Sequence, residues 1–243
     1  MKQKEQKKTE LVYGINPIVE LVKAKNRHIV TLYTTEKVPP KIKELISSNK
    51  LPRTNIYRVS KERLSKIAGT TDHQSVVALA TPFDFRKKPF EHDKQKKIIL
   101  LDGIQDPRNV GAILRSAYCS GFDGAIIPHK GAAPLNAVAL KSSAGLAEHI
   151  EIYQAPSTSA AVQEMKKQDY NFYLGVISNK SVDATQVDYK QPLCLVVGSE
   201  GLGIAKSILS CGKHVKIPQK HLDISYNASV AAGILMFIIS NKL

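Results

Sequence analysis

The sequence predicts an α/β protein: a mostly parallel β-sheet with helices on both faces, preceded by a small α/β domain. Strand and helix patterns alternate along residues 98–240, and the strands among them are nearly continuous apolar runs, as in sheets buried on both faces. An earlier block, residues 11–82, shows shorter patterns of the same kind. With 243 residues, 43% of them hydrophobic, the chain is long enough for two domains with apolar cores.

The block 11–82 is predicted to form the small domain. Apolar periodicity predicts helices at 17–22, 41–48 and 61–69, and strands at 28–35, 55–60 and 75–81. Residues 1–10 are rich in lysine and have no apolar stretch, so we expect a disordered basic tail there and not a secretory signal.

A large domain is predicted at 98–243, after a charged, proline-containing segment at 83–97 that lacks periodicity and is interpreted as a linker. In this domain we expect six strands, at 98–103, 123–128, 148–154, 171–178, 192–198 and 214–218. The helices are predicted at 109–121, 134–147, 157–168, 203–212 and 225–240.

Charge and composition limit the function classes. The net charge of +14 fits an ordinary basic protein, but it also suits a polyanionic partner such as nucleic acid. Three scattered cysteines without a CxxC pair indicate reduced thiols of a cytosolic compartment, with neither a disulfide framework nor a zinc site. The longest apolar run, 230–239, is shorter than the roughly 20 residues of a membrane span. The absence of tryptophan and an aromatic share of 6% argue against an aromatic-rich platform for single-stranded bases.

The first motif is a strand, a turn at Asp106-Pro107 and a helix that presents one apolar face. Arg115 points away from that face, and Gly111, one turn earlier, leaves room for its guanidinium and for a bound group. The alternatives are a surface ion pair for Arg115 and a plain helix cap for Asn109.

The second motif, LVVGSEGLGI at 195–204, places one carboxylate, Glu200, among Gly198, Gly201 and Gly203. Glycines after a strand indicate a hard turn or the close approach of another molecule. The spacing is not that of a dinucleotide-binding loop, and the lysine of a phosphate-binding P-loop is missing. The alternative is a tight turn with Glu200 as a charge at a helix N-terminus.

The third motif runs from 215 to 237. A short strand ends at Ile217-Pro218, and Ser225-Tyr226-Asn227 stand at the start of a helix with small residues in its first turns. Its second half is apolar on every side, so we expect it to be buried in the core or against another subunit. Ser225 or Asn227 could also be an ordinary helix cap.

Together, in this order, the three motifs resemble the signature motifs of the SpoU family of RNA ribose 2′-O-methyltransferases, in the SPOUT superfamily. The resemblance covers residues 98–240, and the block 11–82, with YGINPIVE and HQSVVALA, resembles the ribosomal-protein-like substrate-binding domain of many members. This sequence departs from the family pattern at three places. The family usually has Ser-Leu-Asn, Ile-Pro-Met and His-Gln-Gly, where this chain has Ser225-Tyr226-Asn227, Ile217-Pro218-Gln219 and His73-Gln74-Ser75.

The resemblance implies a C-terminal deep trefoil knot and a homodimer through the knotted domain, with the last helix in the interface. It also implies S-adenosyl-L-methionine as cofactor, held by positions that correspond to Gly198, Gly201, Ile217 and Tyr226. The catalytic positions would be Arg115, Asn109, Glu200, Ser225 and Asn227. No metal is required, because the methyl group is already activated by its sulfonium. Since a guanidinium is not normally deprotonated in proteins, we expect Arg115 to hold a phosphate or stabilise an alkoxide.

The substrate that the resemblance implies is RNA. The N-terminal block is typical of enzymes that methylate a guanosine of large-subunit ribosomal RNA and of their mitochondrial relatives. We expect a bacterial cytoplasmic location, with an organelle matrix as the less favoured alternative. Two alternatives are the same reaction on tRNA and a catalytically silent RNA-binding or ribosome-assembly protein. A nicotinamide-dependent dehydrogenase is disfavoured by the glycine spacing.

Overall fold

The computed structural model describes residues 9–220 and 224–243. The strands are β1 (Glu10–Tyr13), β2 (Ile29–Thr34), β3 (Asn55–Arg58), β4 (Val76–Ala80), β5 (Lys97–Asp102), β6 (Gly124–Ile126), β7 (Glu151–Tyr153), β8 (Asn171–Gly175), β9 (Val182–Asp183), β10 (Leu193–Gly198) and β11 (Lys213–Lys216). The α-helices are α1 (Ile15–Ala24), α2 (Pro40–Ser47), α3 (Lys61–Ala68), α4 (Pro107–Cys119), α5 (Ala137–Ser142), α6 (Thr158–Lys167) and α7 (Ala228–Asn241).

The chain divides into two compact units. The first consists of the residues up to Asp84 together with Asn136–His149, and the second of Phe85–Leu135 together with Ile150–Leu243. The large domain was predicted as one continuous segment, 98–243, whereas here the stretch 136–149 is grouped with the N-terminal unit.

The N-terminal unit contains a four-stranded sheet in the order β1-β4-β2-β3. The central strand β4 is antiparallel to both β1 and β2, and β3 lies parallel to β2 at one edge. All six helices and strands predicted for 11–82 are present, and β1 is an additional strand that the pattern did not predict. Its first residue, Glu10, falls in the predicted disordered tail, and residues 1–8 of that tail lie outside the described residues. A core cluster around Tyr13, Leu64 and Val77 joins α3 to the sheet.

The stretch 136–149 belongs to this unit because its backbone approaches α1 closely. A Cβ atom on Gly145 would lie 2.8 Å from Pro17 Cα, so only glycine fits there. Ala144 and Gly145 also have positive φ angles, 54° and 85°, which end the helix α5. The prediction of a single helix at 134–147 is therefore wrong. A short 3-10 helix, Leu146–His149, follows and packs on α1.

A buried ion pair fastens the same stretch. The Nε atom of Arg27 donates to Glu148 Oε1 at 3.1 Å, and its Nη1 donates to Glu10 Oε2 at 2.9 Å and to the Thr81 carbonyl at 3.1 Å. Both Arg27 and Glu148 are buried. Burial raises the pKa of Glu148, and the neighbouring guanidinium opposes that shift. Removing one partner of such a pair typically costs about 3–5 kcal/mol, because the other charge stays buried.

The second unit contains a seven-stranded sheet in the order β7-β6-β5-β10-β8-β11-β9, in which every pairing is parallel. This confirms the predicted α/β class. On one face, Ile98, Leu100 and Val196 join a cluster that includes Met165 of α6. The alternate residues of β5 and β10 are equally buried, and α7 packs on β10. The continuous apolar runs therefore reflect burial on both faces.

Three segments of this unit differ from their predictions. β9 is a seventh strand, where six were predicted. The helix predicted at 203–212 is a 3-10 helix, Lys206–Cys211. The part of the predicted linker that follows Asp84 is anchored: Phe90 is fully buried over Gly124, where an added Cβ would lie 2.3 Å from the ring. Arg86 stacks over that ring at 5.0 Å and pairs with Glu151 at 2.7 Å.

Candidate active site

A cavity of about 260 Å³ lies at the carboxyl ends of three neighbouring parallel strands, β10, β8 and β11. Its wall is mainly apolar and backbone, with a few polar groups from the segments that follow these strands. In open parallel sheets, ligands bind in the crevice at the carboxyl ends of the strands. The lining contains three of the four predicted cofactor-binding residues, Gly198, Ile217 and Tyr226.

The loop after β10 explains two of its three glycines. Ser199 and Gly203 exchange backbone hydrogen bonds of 3.2 and 3.0 Å, which folds the chain back on itself. A Cβ on Gly198 would lie 2.2 Å from the carbonyl carbon of Gly203, so the close neighbour of Gly198 is the chain itself. Gly203 has a φ of 66°, which favours glycine. A Cβ on Gly201 would meet nothing within 4 Å.

Glu200 is the centre of a hydrogen-bonded cluster that joins all three motifs. Its Oε1 accepts from Asn109 Nδ2 at 3.2 Å, from the Ala228 N–H at 3.3 Å and from Asn227 Nδ2. Asn227 Nδ2 also donates to Asn109 Oδ1 at 3.2 Å. Within the described residues, Glu200 Oε2 and one N–H of Asn109 keep no partner. The cluster therefore offers one free acceptor and one free donor.

The helix starts show which polar residues are caps. Asp106, not Asn109, caps α4, because its carboxylate accepts the Arg108 N–H at 2.8 Å. The interpretation of Asn109 as a plain cap is therefore wrong. Asn227 does cap α7, accepting the Ser229 N–H at 2.9 Å through Oδ1 while its amide nitrogen binds Glu200. Asn227 therefore caps α7 and also belongs to the Glu200 cluster.

A second cavity, of about 270 Å³, lies beside the first at the carboxyl ends of β5 and β10. The two cavities share Ser199, Glu200 and Ala228. Asn109 and Gly201 line the second cavity, so the structure places Gly201 there and not among the lining of the first. The Glu200 cluster therefore stands between two adjoining spaces at the carboxyl edge of the sheet.

Asp102 supports this arrangement and was not singled out from the sequence. It is buried at the end of β5, where Oδ1 accepts from Thr158 Oγ1 at 2.6 Å and Oδ2 accepts the Ala205 N–H at 2.7 Å. It thereby holds the start of the segment that follows Gly203. The available signal was an acid at the end of the buried run IILLD.

The predicted catalytic residues are only partly brought together. Ser225 lines the first cavity with Glu200, and Asn109 and Asn227 belong to the cluster. Arg115 is exposed, and within residues 9–220 and 224–243 it makes no hydrogen bond or ion pair, so the surface ion pair is not observed. It lies six residues beyond Asn109 on α4, about 9 Å along the axis and on another side of the helix.

Two further findings concern metals and membranes. In the part of the chain that the structure describes, His, Cys, Asp and Glu side chains do not gather in a group of three that could hold a metal ion. Over the same residues, none of the helices is long and apolar enough to cross a membrane.

Comparison with known proteins identifies two family matches. Residues 96–237 match the SpoU rRNA Methylase family, and residues 11–86 match the family described as RNA 2′-O ribose methyltransferase substrate binding. A protein of Staphylococcus epidermidis, described as a TrmH family tRNA/rRNA methyltransferase, is 32% identical over 209 residues, covering 83% of each chain. A relative from Staphylococcus saprophyticus with the same description is 33% identical over 202 residues, covering 79% of this chain and 81% of its own.

Solved structures share the fold. The SpoU methyltransferase AviRb from Streptomyces viridochromogenes, in complex with AdoMet, superposes with a TM-score of 0.80 at 23% identity, covering 96% of this chain and 89% of its own. An AdoMet-bound rRNA methyltransferase from Sinorhizobium meliloti superposes with the same TM-score at 21% identity, covering 97% and 88%.

Proposed function

Because the chain belongs to the SpoU rRNA methylase family of RNA methyltransferases, we propose that it methylates the 2′-OH of a guanosine in large-subunit ribosomal RNA. The observation that carries this proposal is the cluster of Asn109, Glu200 and Asn227, which unites the three motifs between two adjoining cavities. The match of residues 11–86 to a substrate-binding family supports ribosomal RNA over tRNA. A substrate-binding domain before the catalytic domain is typical of the enzymes that methylate ribosomal RNA.

S-adenosylmethionine is the cofactor of SpoU methyltransferases, and when bound it supplies a methyl group activated by its sulfonium. The first cavity fits such a molecule, because its apolar walls suit an adenosine ring and its backbone and hydroxyl groups suit polar edges. Gly198, Ile217 and Tyr226 would hold it, and Gly201 would act through the loop that it shares with Gly198. The tyrosine at the position of the family's leucine is acceptable there, since it is 41% exposed at the cavity wall.

The target nucleotide would occupy the second cavity. There the free N–H of Asn109 and the free Oε2 of Glu200 form a donor and acceptor pair for ribose hydroxyl groups. Asn227 holds both side chains in place, because its amide nitrogen binds each of them. Ser225 contributes a hydroxyl at the wall of the first cavity. These residues orient the reacting oxygen, which is the main contribution expected of the protein in a transfer between bound partners.

Arg115 is proposed to act on charge, whereas the cluster residues orient the reacting oxygen. Its exposed guanidinium has no partner within the described residues, so it is available to an RNA phosphate or to a developing alkoxide. The proton of the hydroxyl leaves by another route, because a guanidinium does not accept it.

We further propose a homodimer through the C-terminal domain, for which a knot is predicted. The exposed apolar side chains Val230 and Phe237 of α7 and Tyr118 of α4 support it, since α4 and α7 pack together and carry these groups outward. A second copy would cover them. The trefoil knot and the resemblance of the N-terminal unit to ribosomal proteins stay predictions, as does a bacterial cytoplasmic location.

The test uses tritiated-methyl S-adenosylmethionine with unmodified ribosomal RNA and, separately, unmodified tRNA, followed by digestion to nucleosides. Label in 2′-O-methylguanosine from ribosomal RNA is the expected result. Label from tRNA alone would contradict the substrate, and label on a base would contradict the 2′-O position. Failure of the protein to bind S-adenosylmethionine would favour a silent RNA-binding protein.

A further inference from the structure

An exposed tyrosine lies on the edge strand of the N-terminal sheet. In the strand order β1-β4-β2-β3, β3 is an edge, and all four of its residues are exposed. Tyr57 is 51% exposed and pairs in register with Tyr33 on β2. The two rings stack, with centroids 5.7 Å apart and an angle of 23° between their planes. One face of the Tyr57 ring is therefore supported, and the side chain is still half open to solvent.

The Tyr33 ring, which supports Tyr57, is itself packed against buried residues. Tyr33 packs on the cluster formed by Tyr13, Leu64 and Val77, which joins α3 to the sheet. Register pairing places Tyr57 directly opposite Tyr33, so both side chains lie on the face that α3 covers. A ring held in this way loses little conformational freedom when a flat partner stacks on it.

Cations are frequent in the sequence on both sides of Tyr57. The segment 50–66 has a single acid, Glu62, and six cations: Lys50, Arg53, Arg58, Lys61, Arg63 and Lys66. Arg58 is paired with Glu36 at 3.4 Å, so the attraction for a polyanion would come from the others. Three of them, Lys61, Arg63 and Lys66, are exposed on α3, which covers the face of the tyrosine pair. Such charges attract a phosphate backbone, whereas an apolar protein partner would gain little from them.

We propose that Tyr57, stacked on Tyr33 on the sheet face that the cationic helix α3 covers, binds an unpaired base of the RNA substrate. This inference rests on the proposed function, because RNA is the polyanion that the enzyme acts on. It adds that the substrate presents a single-stranded nucleotide to the N-terminal unit. Bases in a duplex are stacked on each other and cannot lie on an aromatic side chain, so recognition of this kind selects loops, bulges and ends. The low aromatic content of the chain argues only against a platform of many rings, and two suffice here.

The test compares binding of a fluorescent 12-nucleotide single-stranded RNA and of the blunt duplex of the same sequence, at fixed salt. Replacement Tyr57→Ala is expected to weaken single-strand binding about tenfold, the usual scale for one stacked base, and to change duplex binding less than twofold. Tyr57→Phe keeps the ring and is expected to bind within twofold of the parent. Ile56→Ala is the matched control, since Ile56 is 39% exposed on the same strand but points to the opposite face.

A second readout separates stacking from stability. With 2-aminopurine in the single strand, the parent protein and Tyr57→Phe should quench its fluorescence, and Tyr57→Ala should not. If Tyr57→Ala and Ile56→Ala bind the single-stranded RNA and quench 2-aminopurine equally, the proposal is overturned. Tyr57 would then serve only the structure of the edge strand β3. Equal loss with single strand and duplex would also overturn it, in favour of general charge attraction. The proposed function fails separately, if the parent enzyme transfers no methyl group to ribosomal RNA.

Discussion

Glu200 Oε1 accepts a hydrogen bond from Asn109 Nδ2 at 3.2 Å, although 91 residues separate the two in sequence. Because Glu200 is exposed and yet bound by two side-chain amides and one backbone N–H, it has a fixed orientation between the two cavities. Replacement Glu200→Ala is expected to lower kcat/KM for methyl transfer about 100-fold, in line with the loss of one oriented polar group. Glu200→Gln, which can still accept from the amides, should lose less.

The measurement is steady-state methyl transfer to ribosomal RNA transcripts, with S-adenosylmethionine affinity measured in parallel by calorimetry. The loss should appear mainly in kcat. Equal rates for Glu200→Ala and the parent enzyme would contradict the role of the cluster.

A second prediction concerns the loop after β10. Gly198→Ala places a methyl group 2.2 Å from backbone atoms that cannot move without opening the loop, so S-adenosylmethionine affinity should fall at least tenfold. Gly201→Ala is the matched control, because Gly201 would act only through the backbone of the loop, and the added methyl group meets nothing within 4 Å. Its affinity for the cofactor and its thermal unfolding should stay close to those of the parent. Similar affinities of both variants would show that the loop tolerates a side chain at 198.

A third prediction concerns Arg115. Arg115→Ala should lower the rate of methyl transfer by about 100-fold and leave S-adenosylmethionine affinity within twofold. The reason is that the exposed Arg115 guanidinium, which has no partner within the described residues, is proposed to contact the RNA and not the cofactor. Arg108→Ala, also exposed on α4, serves as control for a general loss of charge. If Arg115→Ala and Arg108→Ala reduce the rate equally, or if Arg115→Lys retains normal turnover, the catalytic role is wrong.

A fourth prediction concerns the pH dependence of stability. His73 is buried, and its Nδ1 accepts the Ser75 N–H at 3.1 Å, which requires the neutral ring. Burial lowers the pKa of His73, and the positive charges of Lys61 and Lys141 lower it further, against the opposing Asp72. The unfolded chain therefore binds the proton more tightly. The contribution of His73 to stability is complete above its ordinary pKa, about 6.5, and is lost as the pH falls towards the lowered value.

Urea unfolding of the parent protein between pH 8 and pH 5 should show the free energy of unfolding decreasing with falling pH, by at most about 1.4 kcal/mol per pH unit from one proton. His73→Gln should show a flatter profile, although it is less stable at pH 8. Parallel profiles would contradict the assignment to His73.

A fifth prediction concerns Ser75, which stands where the family pattern has glycine. Its φ is 62°, a left-handed conformation that costs a non-glycine residue about 1 kcal/mol. Its hydroxyl makes no hydrogen bond within the described residues. Ser75→Gly should therefore raise the free energy of unfolding by about 0.5–1 kcal/mol, and Ser75→Ala should leave it nearly unchanged. Thermal unfolding measures both changes. If Ser75→Gly is less stable than the parent protein, the backbone at residue 75 is not strained as proposed.

Local patterns predicted most of the elements, because the period of apolar residues records which face of a helix or strand is buried. The predictions failed where contacts between distant segments decide the conformation. The break in the helix at Ala144 and Gly145 depends on the close approach of Gly145 to α1. The anchoring of the segment after Asp84 depends on the packing of the Phe90 ring against Gly124, which has no side chain to block it. One phenylalanine in a charged stretch carries no periodic signal.

The sequence by itself determined the α/β class, the motif residues and the family resemblance, since these depend on residue types at short spacing. Only the tertiary structure decided which motif residues meet. The strand order places β10 between β5 and β8, so the segments after these strands converge at one edge and bring Asn109 to Glu200. The same geometry leaves Arg115 outside the cluster, because successive turns of α4 point it elsewhere. Sheet order comes from long-range strand pairing, which no short stretch of sequence encodes.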